Sequence, residues 1–185
     1  VPTSDESTTV TVDGAGPIFI EPTALAQRWA YDADSSLQHS RPAVDTDRVY
    51  VGGLGSEFRA LSRGTSDAQV EWSEARAGAL SDSSPILSGG LVFVGSGGGT
   101  LYAFDPDASD GNRVAWTYTI DSAITSTPTV SSGTVYVAAN DGTVHAVNTD
   151  GTVHWGSPAD VGGPVYSPLA AANGTVFVTT SDGSV

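Results

Sequence analysis

Short apolar runs, separated by turns rich in glycine, aspartate and asparagine, follow one another along the chain. Four of these runs place an aromatic residue between two valines, around Tyr50, Phe93, Tyr136 and Phe177. The apolar residues occupy successive positions rather than alternate ones, which is typical of strands that are buried on both faces. No segment shows a helical period, and the 22 glycines and 10 prolines would interrupt one. The pattern therefore predicts an all-β protein.

The four runs belong to a repeated unit of about 40 residues. Each unit carries a tryptophan, a proline 12 or 13 residues later, and the aromatic residue a further 8 or 9 residues on. The repeat marks are Trp29, Trp72, Trp116 and Trp155, with Pro42, Pro85, Pro128 and Pro168. Three marks that keep one register through four copies indicate an internal repeat.

The third unit shows how one copy is expected to fold. Its apolar runs cover residues 126–130, 134–138, 143–147 and 152–155, and Asn140-Asp141-Gly142 is a strong hairpin signal between the second and third runs. Proline at the head of the first run fits an edge strand, because it cannot donate a hydrogen bond to a neighbouring strand. Four-stranded antiparallel units of this length, stacked around an axis, form a β-propeller.

The repeats make residues 1–185 a single propeller region of about four units. Complete blades are predicted over residues 36–78, 79–121 and 122–160, and complementary partial blades over residues 1–35 and 161–185. Three arrangements satisfy this count: a fragment of a larger ring, which we favour, an eight-bladed homodimer in which two chains pair their partial blades, and a four-bladed ring closed by its own ends. The first residue is Val1 and there is no methionine, so we expect a processed chain or an excised fragment.

The amino-acid composition indicates the salt concentration and the classes of partner that suit this protein. The chain has 21 acidic residues against 7 arginines, with no lysine and no cysteine, and its net charge is −14. An aspartate-rich surface without lysine repels itself at low salt, and molar salt screens that repulsion. We therefore predict a halophilic acidic protein from a haloarchaeal source. The negative electrostatic potential of such a surface argues against nucleic-acid partners. No apolar run approaches the ~20 residues that cross a bilayer, so membrane insertion is not expected.

The residues of the second unit resemble a known repeat. Pro-Ile-Leu at 85–87, Gly-Leu-Val-Phe-Val at 90–94 and Gly-Thr-Leu-Tyr-Ala-Phe-Asp at 99–105, closed by Trp116, are similar to the PQQ-type propeller repeat. That repeat occurs in quinoprotein alcohol dehydrogenases and in the outer-membrane assembly lipoprotein BamB, and the resemblance covers most of residues 25–185. It implies a docking turn in which each tryptophan packs its ring on the neighbouring blade while its N–H finds a carbonyl.

The expected function is that of a non-enzymatic β-propeller scaffold or binding module, extracytoplasmic or held at the cell surface. The sequence does not identify its protein or small-ligand partner, and Arg41, Arg59 and Arg63 are the candidate anchors on an otherwise anionic surface. The alternative is the propeller fragment of a PQQ-dependent quinoprotein dehydrogenase. Such enzymes carry a vicinal cysteine pair and a calcium ion at the quinone. Because this chain has no cysteine, we expect neither bound PQQ nor calcium, and no catalytic residue is assigned.

Two loop motifs have some features of a phosphate site and of a calcium site. The glycine-rich segment 95–100 is interpreted as a hairpin turn, because a phosphate-binding loop needs a lysine or a following helix. Asp105, Asp107 and Asp110 place oxygens at alternating positions and are weak candidates for calcium. The glycine and glutamate that a calcium loop requires do not fall in the right places, which favours a solvated acidic turn.

The three histidines are His39, His145 and His154. His145 and His154 would lie on adjacent strands of one blade, so a zinc pair is conceivable. No third ligand follows from the spacing, and histidine pairs without one are usually surface residues.

Overall fold

The computed structural model describes residues 20–21, 24–27, 31, 40–53, 56–64, 68–75, 78–80, 82–109 and 112–184. Within these ranges the chain forms sixteen short strands. Blade 1 contains β3 (Ala43–Val44), β4 (Arg48–Gly52), β5 (Glu57–Ser62) and β6 (Val70–Ala75). Blade 2 contains β7 (Ile86–Ser88), β8 (Leu91–Gly95), β9 (Thr100–Phe104) and β10 (Val114–Thr119). Blade 3 contains β11 (Thr129–Ser131), β12 (Thr134–Ala138), β13 (Thr143–Asn148) and β14 (Ala159–Asp160). The all-β prediction is confirmed.

Two further pairs of strands form half-blades. β1 (Ile20–Glu21) and β2 (Ala24–Gln27) make an N-terminal half-blade, and β15 (Ala170–Ala172) and β16 (Thr175–Phe177) make a C-terminal one. In the described part of the chain these remain separate two-stranded sheets, and the sheets are not closed into a ring. No helix long and apolar enough to cross a membrane occurs among the described residues.

Each complete blade is an antiparallel meander whose strands pair in chain order. The strand that follows the repeat proline lies at one edge of its sheet in all three blades, as the missing N–H of proline predicts. The predicted hairpin forms between β12 and β13, where Gly142 has a φ of +88° that glycine adopts without a Cβ clash. The glycine-rich segment 95–100 forms the turn from β8 to β9, as expected.

The outer strand of blade 3 departs from the predicted pattern. The run 152–155 makes one isolated bridge, and the fourth strand lies instead at Ala159–Asp160. The amides of His154 and Trp155 both donate to the carbonyl of Ala146, at 2.9 and 3.2 Å, so the ladder loses its regular register here. A glycine and a proline follow at once, and proline cannot continue a ladder. The prediction of a regular strand over 152–155 is therefore wrong.

The hydrophobic core lies between neighbouring blades. Phe58 of blade 1 stacks on Phe104 of blade 2 with ring centroids 4.6 Å apart, and both side chains are fully buried. Phe93 of blade 2 belongs to one cluster with Val135 of blade 3. Because a neighbouring blade covers each face of a central blade, its strands carry apolar residues at successive positions.

Phe177 lies on the C-terminal half-blade and is exposed, unlike the equivalent residues of the complete blades. It occupies the repeat position of Tyr50 and Phe93, which are fully buried, yet its side chain is 53% exposed. In the described residues β16 pairs only with β15, and no further blade covers it. The same apolar position is thus buried or exposed according to whether a neighbouring blade is present.

Candidate functional site

The residues before the repeat prolines join successive blades. The backbone amide of Arg41 donates to Ser84 Oγ at 2.9 Å, and the amide of Ser84 donates to Thr127 Oγ1 at 3.2 Å. One residue earlier, the buried hydroxyls of Ser83 and Ser126 bond to the backbone at the end of the second strand of their own blade, at 2.9 and 2.7 Å. These bonds bring the pre-proline side chains of three blades close together.

The pre-proline residues border a cleft of 820 Å³, which we call the axial cleft. It lies where the first strands of the three blades and of the C-terminal half-blade begin, and its volume falls in the range of small-ligand sites. Three repeat prolines and Tyr166, which is 57% exposed, supply apolar surface. The lining residues are Arg41, Pro42, Asp82, Ser84, Pro85, Ile86, Thr125, Thr127, Asn140, Tyr166 and Pro168.

Most polar groups of the axial cleft are donors once their internal hydrogen bonds are counted. The hydroxyl oxygens of Ser84 and Thr127 accept backbone amides, which leaves each O–H able to donate. The side-chain oxygen of Asn140 accepts the hydroxyl of Thr125 at 2.7 Å, which leaves the amide NH₂. The Arg41 guanidinium forms no ion pair with any residue that the structure describes. The cleft therefore presents several donors, the positive charge of Arg41 and the negative charge of Asp82.

The three arginines predicted as anchors have different surroundings. Arg41 lies in the axial cleft. Arg63 donates to two backbone carbonyls in the turn before β4, at 2.8 and 3.2 Å, and so braces that turn. Arg59 pairs with Glu57 on its own strand. Arg41 is the one of these three that lies beside groups able to contact a ligand.

The acidic turn after β9 contacts a neighbouring blade. Asp105 Oδ1 accepts the amide of Asp107 at 2.9 Å, and Asp107 Oδ1 accepts a hydrogen bond from Arg48 of blade 1 at 2.8 Å. A further hydrogen bond, to Glu71 at 2.7 Å, raises the pKa of Arg48. Asp110 lies outside the described residues. In the ranges that are described, nowhere do three or more His, Cys, Asp or Glu side chains gather as a metal site would need.

The candidate zinc pair is not brought together as a metal site. Tyr118 OH lies 3.0 Å from His145 Nδ1, and Thr143 Oγ1 lies 2.9 Å from His145 Nε2. Because the Thr143 hydroxyl donates to Asp141, it accepts from His145 Nε2–H, which leaves Nδ1 to accept from Tyr118. His154 Nδ1 lies 2.8 Å from the side-chain oxygen of Asn148. His39 falls outside the described residues.

Hydrogen bonds and burial outside the axial cleft shift several pKa values. Burial lowers the pKa of His145, and the nearby Asp141 carboxylate offsets part of that effect. Burial alone would raise the pKa of Asp45, but hydrogen bonds from Tyr50 and from two backbone amides outweigh it and lower that pKa. Burial, reinforced by the same hydrogen bond, raises the pKa of Tyr50. These groups stabilise turns and blade contacts.

Two of the repeat tryptophans meet their neighbouring blades in different ways. Trp116 Nε1 donates to the carbonyl of Thr149 in the next blade at 3.0 Å, as the docking turn predicts. Trp72 Nε1 is buried with no hydrogen-bond partner. The carbonyl at the matching place in blade 2 belongs to Pro106, and it accepts a hydrogen bond from Arg113 at 2.7 Å. The Arg113 guanidinium also lies over the Trp72 ring, 5.6 Å from its centroid, so this arginine takes the acceptor that Trp72 would use.

Trp29 falls outside the described residues, and Trp155 packs on Tyr136 with ring centroids 5.6 Å apart. Ser84, Thr127, Asn140 and Tyr166 were not predicted as site residues. The sequence does contain a signal for Ser84 and Thr127. Together with Arg41 they stand 43 residues apart, each directly before a repeat proline.

Solved structures of several kinds of protein are similar to this fold. BamB from Moraxella catarrhalis is similar with a TM-score of 0.67 and 18% identity, over 83% of this chain and 46% of that chain. The computationally designed Ika4 protein has a TM-score of 0.67 at 18% identity, over 86% of this chain and 94% of its own. A europium-containing methanol dehydrogenase has a TM-score of 0.52 at 17% identity, over 64% of this chain and 24% of its own. The chain thus spans about half the length of the BamB chain that it matches.

No curated protein sequence matches the chain. A family model does: the model described as outer membrane protein assembly factor BamB matches residues 1–111 and again residues 107–185, which together cover the whole sequence. The double match agrees with the internal repeat, and the four-stranded sheets agree with the fold of the solved relative. The chain therefore belongs to the BamB-like family of PQQ-type β-propeller repeat proteins.

Proposed function

We propose that this chain is a non-enzymatic β-propeller binding module whose ligand site is the axial cleft. The observation that carries the proposal is the gathering of Arg41, Ser84, Thr127, Asn140 and Tyr166, contributed by several different blades, around one open cavity. The blade contacts fix the positions of these residues, because hydrogen bonds between the pre-proline residues run from blade to blade. A rigid scaffold that presents side chains from its loops is a common arrangement for recognition.

The alternative function is that of a fragment of a quinoprotein dehydrogenase, and the likeness to a methanol dehydrogenase is what favours it. The residues of the axial cleft do not fit a quinone held with calcium. Calcium takes six to eight oxygen ligands, usually with several carboxylates, whereas the cleft lining contains one carboxylate side chain, that of Asp82.

We place the module outside the cytoplasm, because its family is described as an outer membrane protein assembly factor. The net charge of −14 and the absence of lysine support a salt-rich medium and a haloarchaeal source. A partner in that medium would meet a protein whose long-range repulsion is screened, so contacts at close range would decide recognition.

Nuclear magnetic resonance tests the proposed function directly. The ¹⁵N-labelled chain in molar KCl would be titrated with a set of neutral, cationic and anionic small molecules. We expect some of them to shift the backbone amides of Ser84, Thr127 and Asn140. Failure of every compound to shift these amides would overturn the proposal. So would alcohol-dependent dye reduction after addition of PQQ and calcium, because it would establish the enzyme.

A further inference from the structure

We infer that the axial cleft binds a carboxylate carried by an extended peptide, and that Arg41 recognises the anion. The inference rests on the proposed function, since it names the class of ligand for the same cleft. The hydrogen-bonding groups of the cleft, the position of Arg41 in the repeat and the apolar residues of the lining support it.

Apart from the Asp82 carboxylate, which already has an interaction of its own in the protein, the polar groups of the cleft favour a hydrogen-bond acceptor as ligand. After the internal bonds are counted, Ser84 and Thr127 each have an O–H to donate, and Asn140 has its NH₂. The Arg41 guanidinium adds up to five N–H donors in a planar fork. A carboxylate offers four lone-pair positions and accepts an arginine through two parallel hydrogen bonds. It is therefore the simplest group that pairs with the guanidinium of Arg41.

The place of Arg41 in the repeat leaves its side chain available. In blades 2 and 3 the pre-proline side chain is a hydroxyl that accepts the amide of the preceding blade. In blade 1 the same position holds Arg41, whose contribution to this chain of hydrogen bonds is its backbone amide. Four other arginines in the described residues, Arg48, Arg59, Arg63 and Arg113, hold carboxylates or carbonyls of the protein itself. The Arg41 guanidinium is therefore a positive charge in the cleft with no structural partner among the described residues.

The apolar lining favours a peptide. Pro42, Pro85 and Pro168 line the cleft together with Tyr166, which is more than half exposed. Grooves with aromatic rings at their surface bind proline-rich segments in the polyproline II conformation, whose carbonyls remain free to accept hydrogen bonds. The Ser84 and Thr127 hydroxyls could donate to such carbonyls while Arg41 holds the carboxylate.

The test uses one peptide in two forms. Fluorescein-Ala-Pro-Ala-Pro-Ala would be prepared with a free C-terminal carboxylate and with a C-terminal amide, and its fluorescence anisotropy measured with the full 185-residue chain in molar KCl. We expect the free acid to bind about tenfold more tightly than the amide, because a charge-assisted hydrogen bond is lost in the amide. We expect Arg41→Gln to remove that difference and Arg41→Lys to keep part of it, since lysine keeps the charge without the fork.

Arg63→Gln is the matched control, because it removes the same charge from a turn that lies outside the cleft lining. Urea unfolding of all three variants verifies that they fold. Equal binding of acid and amide, or equal effects of Arg41→Gln and Arg63→Gln, would overturn the inference.

The amide titrations that test the proposed function separate the two possible failures. If neutral compounds shift the cleft amides and carboxylates do not, the binding module stands and the carboxylate inference is wrong. If glucuronic acid, an anionic sugar, binds and the peptide acid does not, the peptide is wrong as the ligand. If nothing shifts those amides, both proposals fail together.

Discussion

Replacing Gly151 with alanine tests how closely two blades pack at a docking turn. Gly151 has a φ of +90°, and a Cβ built on it would lie 2.8 Å from Cγ of Trp116 in the preceding blade. Carbon atoms in proteins do not approach so closely without repulsion, and the Trp116 ring is also held by its hydrogen bond to Thr149. We therefore expect Gly151→Ala to strain the backbone and also to push the tryptophan ring off the turn.

The expected loss of stability is the sum of the backbone strain and the overlap with the Trp116 ring. A positive φ costs an alanine roughly 1–2 kcal/mol. Overpacking against a ring that cannot move freely costs roughly 1–3 kcal/mol more. Gly133 provides the control, because its φ is +79° and a Cβ there would meet nothing within 4 Å. We expect Gly133→Ala to cost the backbone term alone, so the two variants should differ by about 1–3 kcal/mol.

Urea unfolding in molar KCl, followed by tryptophan fluorescence and by circular dichroism, measures both free energies of unfolding. A second comparison in the Trp116→Leu background isolates the contact, since the difference between the two glycine variants should shrink when the ring is removed. Equal destabilisation by Gly151→Ala and Gly133→Ala in the parent chain would refute the close packing of this tryptophan on the next blade.

Four further outcomes follow from the structure. In urea unfolding, Trp116→Phe should lower the free energy of unfolding by about 1–2 kcal/mol more than Trp72→Phe does. The reason is that Trp116→Phe leaves the Thr149 carbonyl without its donor, whereas Trp72→Phe removes no hydrogen bond. Equal losses of stability would contradict this. The folded pKa of His145 lies below its ordinary 6.5, so its stabilising contribution is present above pH 6.5 and is lost as the pH falls through the folded pKa. His145→Gln should flatten that fall, and an unchanged pH profile would refute it. The melting temperature should rise from low salt to molar KCl, because the salt screens the charge of −14. A melting temperature that stays constant or falls would contradict the halophilic interpretation. Light scattering should give 18.8 kDa for this chain, whereas about double that mass would indicate two chains pairing their half-blades.

The sequence predicts the blades well because their signals are local and repeated. Runs of successive apolar residues, an edge proline and glycine-containing turns each indicate the same strands, and β12 falls at residues 134–138 as predicted. The outer strand of blade 3 is the exception. There the apolar run 152–155 continues the pattern, but the amides of residues 154 and 155 both bond to Ala146, and this bulge together with Pro158 moves the pairing to residues 159–160.

The candidate site was harder to predict, because side-chain partners depend on contacts between blades. Arg41, Arg59 and Arg63 are equivalent as charges in the sequence, and only the fold separates Arg41 from the two that bind their own blade. The donor character of Ser84 and Thr127 likewise follows from amides that lie 43 residues away. Composition reports the charge of the surface, whereas geometry decides which groups remain available to a ligand.

Titration of the ¹⁵N-labelled chain with the unlabelled peptide acid, acetyl-Ala-Pro-Ala-Pro-Ala, tests the central claim most directly, because it locates the binding site and not only the affinity. The account predicts that the largest shifts fall on the amides of Ser84, Thr127 and Asn140 and that Arg41→Gln abolishes them. Shifts confined to the exposed edge around Phe177, or shifts that persist unchanged in Arg41→Gln, would contradict it.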